Sequence, residues 1–62
     1  MKYAEAEKKL KNAGCYWFRD GKNHPLWKSP VTGLKFAMSY HQSEEIKSGT
    51  KKSIENLSGV KF

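Results

Sequence analysis

An Asp20-Gly21 step between two apolar segments constrains this chain more than any other feature. Ahead of it runs Cys15-Tyr16-Trp17-Phe18, three of them successive aromatics that favour a strand. Behind it comes Leu26-Trp27. Aspartate followed by glycine is a strong turn signal, because glycine takes positive φ without steric cost. The simplest arrangement is two short antiparallel strands, Cys15 to Arg19 and Pro25 to Lys28. Their loop lifts Lys22, Asn23 and His24 to the edge of a sheet. Pro25 cannot donate to a ladder, so it belongs at a strand start or an edge. Alternation puts Cys15 and Trp17 on one face and Tyr16 and Phe18 on the other. Both faces are apolar, so either can meet a helix, and the other is left for a partner or for stacking.

The chain before the hairpin reads as a helix. Tyr3, Ala6, Leu10 and Ala13 recur at spacings of three and four, one narrow stripe. Glu5 and Glu7 come early and Lys8, Lys9 and Lys11 late, which suits the helix dipole. Glu5–Lys9 and Glu7–Lys11 are pairs four apart in the better orientation, and Gly14 closes the helix. After the hairpin, Ser29-Pro30-Val31-Thr32-Gly33 is a turn. Leu34, Phe36, Met38 and Tyr40 then alternate with Lys35, Ala37 and Ser39, a third strand with one buried and one wet face. His41 to Gly49 is polar and irregular, with room for one helical turn around Ser43-Glu44-Glu45-Ile46. Thr50 is a candidate N-cap for a second helix that buries Ile54 and Leu57 and ends at Gly59. Val60 and Phe62 can fold back onto it. The fold class is therefore α+β in the order α-β-β-β-α, a three-stranded antiparallel sheet with two helices on one face, as a single domain over 1–62.

A domain of 62 residues buries only about 60% of the surface its unfolded chain exposes. With 37% of residues apolar, the core is thin and a partner is expected to supply burial. Twelve Lys+Arg against six Asp+Glu give a net charge of +6, which favours a polyanion such as RNA or DNA; a well-solvated basic surface gives the same count. The single cysteine, Cys15, allows no internal disulfide and reads as a small buried hydrophobe. No apolar stretch approaches the roughly 20 residues needed to span a bilayer, and Met1 to Glu5 lacks the apolar block of a signal peptide. The expected location is the cytoplasm, with no membrane partner.

His24 is the residue best suited to chemistry. Histidine trades a proton near neutral pH, and Arg19, Lys22 and Lys28 around it are suited to hold a phosphate. RNA can be cut by its own 2′-hydroxyl, given a base, an acid and donors for the charge that develops at phosphorus. On the other reading, His24 is a polar residue capping the turn. His41 is either the second member of an acid–base pair or a surface residue leaving the last strand, and Tyr40 before it fills the core. Trp17 and Trp27 are either platforms for unpaired bases or packing material, and packing is the stronger reading. Lys47, Lys51 and Lys52 either grip phosphate with the start of the last helix or form a solvated face. No acidic or His/Cys cluster suggests a metal, so neither metal nor cofactor is expected.

The element order, with these residues in it, resembles the HicA-type family of toxin–antitoxin modules. The likeness runs through the opening helix with Glu7, Leu10, Ala13 and Gly14, and the aromatic strand ending in Arg19. Gly21-Lys22-Asn23-His24 is similar to the family's Gly-Ser-His element, with Asn23 where serine is usual and Lys22 as an extra residue. Pro25 stands where an apolar β-former or a second histidine is more usual. Met38-Ser39-Tyr40-His41, Glu45-Ile46-Lys47-Ser48-Gly49-Thr50, and Ser53-Ile54 with Leu57 resemble the segments that follow. The resemblance implies a fold similar to the double-stranded-RNA-binding domain and an mRNA-cleaving endoribonuclease toxin. It further implies that His24 is catalytic and that a HicB-type antitoxin is the partner. Two other functions fit the same residues: a non-catalytic RNA-binding module of this shape, and a small protein whose basic face docks an acidic partner.

Overall fold

A computed structural model describes all 62 residues. The elements are α1 (Tyr3–Asn12), β1 (Tyr16–Asp20), β2 (Pro25–Lys28), β3 (Lys35–Ala37) and α2 (Ser48–Ser58). The strands form one antiparallel sheet in the order β1-β2-β3, and the chain is a small α+β domain of the expected order.

The stripe of α1 is the first part of the core. Tyr3, Ala6 and Leu10 are buried, whereas Ala13, the expected fourth member, is exposed at the C-cap. Glu7 and Lys11 close an ion pair at 3.0 Å; Glu5 and Lys9 do not. The helix ends in a Schellman motif. Gly14 N–H donates to the Lys11 carbonyl at 3.0 Å, and Cys15 N–H to the Leu10 carbonyl at 2.9 Å. Both Cys15 and Leu10 are buried, so the backbone turn and the apolar contact fix each other. That turn aims the chain into β1.

Strand β2 alternates, with Pro25 and Trp27 facing the helices and Leu26 and Lys28 half-buried on the other face. Phe36 opposite Trp27, and Met38 beyond β3, complete the sheet's contribution to the core. Ile54 of α2 and Ile46 of the preceding segment close it. The third strand is shorter than its alternation suggests. Leu34 and Tyr40 are 48% and 47% exposed, because the helices cover only the middle of β3.

Two long-range ties organise the polar segments. The first N–H groups of α1 have no side-chain cap; Tyr3 and Ala4 donate instead to the carbonyls of Glu44 and Gln42, each at 3.0 Å. This pins the segment after β3 across the start of α1 and explains the burial of Ile46. At the other end of the molecule, the Ser29–Gly33 turn caps α2. Ser29 Oγ donates to the Ser58 carbonyl, and Thr32 Oγ1 to the Leu57 carbonyl. The second helix begins at Ser48, two residues before the expected Thr50 cap, with Lys47 at the N-cap. Replacing Ser29 with alanine strips the buried Ser58 carbonyl of its partner. We expect a loss of about 1–3 kcal/mol, measured by urea unfolding. An unchanged midpoint would show that the turn does not cap the helix.

Candidate active site

The hairpin between β1 and β2 carries His24. Asp20 pairs with Pro25 as the last step of the ladder, and Gly21 N–H donates to the His24 carbonyl at 2.9 Å. Gly21 does not use the positive φ that its turn signal suggested. It is needed for closeness instead: a Cβ there would sit 2.3 Å from the His24 carbonyl oxygen. The loop thus shuts tightly behind Lys22, Asn23 and His24, and all three are exposed. The Gly21–His24 closure is a backbone bond in which the His24 imidazole takes no part.

The cations expected around His24 divide into groups. Lys22 shares its loop, and Arg19 lies across from Leu26 at the adjoining end of β1. Lys28 stands four residues along an extended chain from His24, about 13 Å at 3.3 Å per residue. It belongs to the open face of the sheet. There a bulge sets Phe18 and Arg19 together against Leu26. Lys28 and Lys35 are cross-strand partners, and their ammonium groups both lie over the Phe18 ring, at 5.7 and 4.4 Å from its centroid. Like charges so paired repel, and the ring's negative face offsets part of that repulsion. Lys35 was not among the sequence candidates, since its place emerges only from the strand register. Every residue of β1 is exposed, and Tyr16, Phe18, Arg19, Lys28 and Lys35 make an aromatic and basic surface, while the one carboxylate of the strand, Asp20, accepts the Tyr40 hydroxyl.

The third group lies apart. Lys47 is the N-cap of α2, Lys51 is half-buried, and Lys52 is exposed one turn on. Lys47 shares a cleft of about 380 Å³ with Tyr3, Glu44, Glu45 and Thr50. The two carboxylates there oppose a phosphate, so Lys47 fits the local charge pattern better than an anion site.

A different cleft lies between the two segments that carry the histidines. It measures about 210 Å³ and is lined by Trp17, Pro25, Trp27, Ser39, Tyr40 and Gln42. His24 directly precedes Pro25, and exposed His41 stands between Tyr40 and Gln42. Pairing continues past β3, since Met38 N–H donates to the Pro25 carbonyl at 3.0 Å. That bond brings the segment leading to His41 alongside the His24 loop, a closeness no local pattern in the sequence announces.

Tyr40 secures the same junction rather than filling the core as expected. Its hydroxyl donates to Asp20 Oδ1 at 2.9 Å and lies 3.4 Å from the Gly21 carbonyl oxygen, bolting the stem of His41 to the base of the His24 loop. Desolvation first, then the hydrogen bond and charge of Asp20, raise the Tyr40 hydroxyl above its ordinary value. A proton held more tightly in the folded chain contributes stability fully below about pH 10, and that contribution is lost as pH rises through the folded value. We therefore expect the latch to release in alkali, seen as tyrosinate absorbance that lags behind that of the unfolded chain. Burial, then the charge of Glu44, raises the Tyr3 hydroxyl as well, so Tyr40→Phe should remove one lagging component and leave that of Tyr3. If the wild-type and Tyr40→Phe titrations differ only by one ordinary tyrosine, the latch does not form.

Among these side chains, no group of three or more His, Cys, Asp or Glu is assembled that could hold a metal ion. No helix is long and apolar enough to cross a membrane. Compared with protein-family models, curated proteins and solved structures, the chain matches none of them.

Proposed function

We propose that this chain is a metal-independent endoribonuclease acting on mRNA, the toxin of a HicA-type toxin–antitoxin pair, with His24 as general acid or base. The observation that carries the reading is an exposed His24 on a tightly closed hairpin loop, with Lys22 in the same loop and Arg19 at the adjoining end of β1, next to a cleft whose lining residues Pro25, Tyr40 and Gln42 are chain neighbours of His24 and His41. The sequence resemblance to HicA-type toxins adds the biological role, a cytoplasmic setting and a HicB-type antitoxin as partner.

The chemistry needs one proton removed and one delivered. A base takes the proton of the RNA 2′-hydroxyl. The 2′-oxygen bonds to phosphorus, the bond to the 5′-oxygen breaks, and an acid protonates that leaving oxygen. The products are a 2′,3′-cyclic phosphate and a 5′-hydroxyl. His24 fills one role and His41 the other, while Lys22 and Arg19 neutralise charge on the phosphorane. No oxidant or further reactant is required. The exposed aromatic and basic sheet face is the surface best suited to the antitoxin or to the flanking RNA, since Arg19, Lys28 and Lys35 attract an acidic protein or phosphate and Tyr16 and Phe18 offer exposed rings.

The same face favours a second reading, a non-catalytic RNA-binding module, because cations stacked on Phe18 serve binding whether or not His24 reacts. Incubating the purified chain with a mixed-sequence RNA at two salt concentrations separates them. The proposed enzyme cuts at both, more slowly in high salt. The binding module leaves the RNA intact and loses affinity steeply as salt rises.

A further inference from the structure

We propose that the cleft lined by Trp17, Trp27, Tyr40, Pro25, Ser39 and Gln42 is a pocket for one unpaired nucleobase. The inference rests on the endoribonuclease reading only for naming a nucleic acid as the ligand. It begins with the two tryptophans, which sequence alone treats alike. Trp27 is 5% exposed beneath α1, with the Lys11 ammonium 5.9 Å from its ring centroid, and it is packing material. Trp17 sits opposite it in the ladder, on the same face, yet is 56% exposed. It lies on the edge strand β1, where more than half of its surface is left uncovered. An indole so placed has no packing partner on its outer side and walls an aromatic cleft with Tyr40.

The polar groups of the cleft point the same way. Ser39 Oγ accepts the His41 N–H at 3.0 Å, which leaves its own hydroxyl proton free to donate. The Gln42 amide nitrogen donates to Glu7 at 3.1 Å, which leaves its carbonyl oxygen free to accept. The Tyr40 hydroxyl is taken up by Asp20. The cleft thus offers ring faces, one free donor and one free acceptor. Every nucleobase carries an acceptor beside a donor on its pairing edge, so the pocket selects an unpaired base over a paired one. Pro25, Tyr40 and Gln42 are chain neighbours of His24 and His41, so a base held here lies next to the segments that carry both histidines.

The test uses the full chain and two probes that cannot be cut: a mixed-sequence single-stranded oligodeoxynucleotide, and an all-abasic strand of the same length. Affinity is followed by anisotropy of a label on the probe. Trp17→Ala should weaken binding of the intact strand by roughly 5- to 150-fold, the range for losing one stacked base, and leave the abasic strand unaffected. Trp17→Phe, which keeps a ring, should restore most of the loss. Equal affinity of wild type and Trp17→Ala for the intact strand would overturn the pocket. So would equal losses on both strands, which would make Trp17 a support of the fold or of backbone contacts. Because no cleavage is read, the pocket can fail while His24-dependent cutting stands, and cutting can fail while the pocket stands.

Discussion

Alanine in place of His24 is expected to lower the rate of RNA cleavage by roughly two to four decades, the contribution of one positioned proton-transfer group. The fold should survive. The loop is closed by backbone bonds between Gly21 and His24 and by the Asp20–Pro25 pair, and the imidazole takes part in neither. An exposed substitution of this kind changes stability by only about 0.5 kcal/mol or less. Circular dichroism and the urea midpoint should therefore match wild type while cleavage collapses. His41→Ala should fall in the same way if the second histidine supplies the partner proton. A His24→Ala chain that cuts at the wild-type rate would return His24 to the role of a turn residue and leave the non-catalytic binder as the better account.

Leu10→Ala is expected to be the most damaging single change to the fold. Leu10 is fully buried, is the last buried member of the α1 stripe, and also supplies the carbonyl and side chain of the Schellman turn with Cys15. Truncating a buried leucine costs about 2–5 kcal/mol, transfer and cavity together. A domain of 62 residues holds only roughly 3–9 kcal/mol in total. A large fraction of the variant should thus be unfolded at room temperature, seen as lost helical circular dichroism and a shallow or absent urea transition. Loss of less than about 1 kcal/mol would mean that the core is more plastic than its burial suggests.

Local rules reached most of the fold. The α1 stripe, the Gly14 stop, the hairpin and the Phe36/Met38 alternation are short-range patterns of period 3.6 or 2, and each is where its pattern puts it. What escaped was non-local. Thr50 is a good N-cap in isolation, but α2 starts earlier, at Ser48. Tyr40 continues an alternating strand by pattern, yet the helices end before it and Asp20 captures its hydroxyl. The same holds for function. Turn chemistry and charge single out His24, Lys22 and Arg19 directly. Lys28 is close to His24 in sequence and distant along the strand, while Lys35 is far in sequence and shares the Phe18 ring. The nearness of the segment before His41 to the His24 loop depends on one cross-strand bond and one tyrosine latch, neither with a local sequence signature.

The exposed apolar residues bear on the partner. Tyr16, Trp17, Phe18, Val31, Leu34 and Tyr40 are each at least 40% exposed. In a chain with so thin a core, this much uncovered apolar surface is what the antitoxin proposed above would bury. The basic neighbours Arg19, Lys28 and Lys35 would draw it in if it is acidic.

The measurement closest to the central claim is the chemistry of the cut end. RNA digested by the wild-type chain in the presence of a metal chelator should yield 5′ fragments ending in a 2′,3′-cyclic phosphate, and the His24→Ala chain should yield none. Fragments that end in a free 3′-hydroxyl, or RNA that is bound but stays whole, would contradict it.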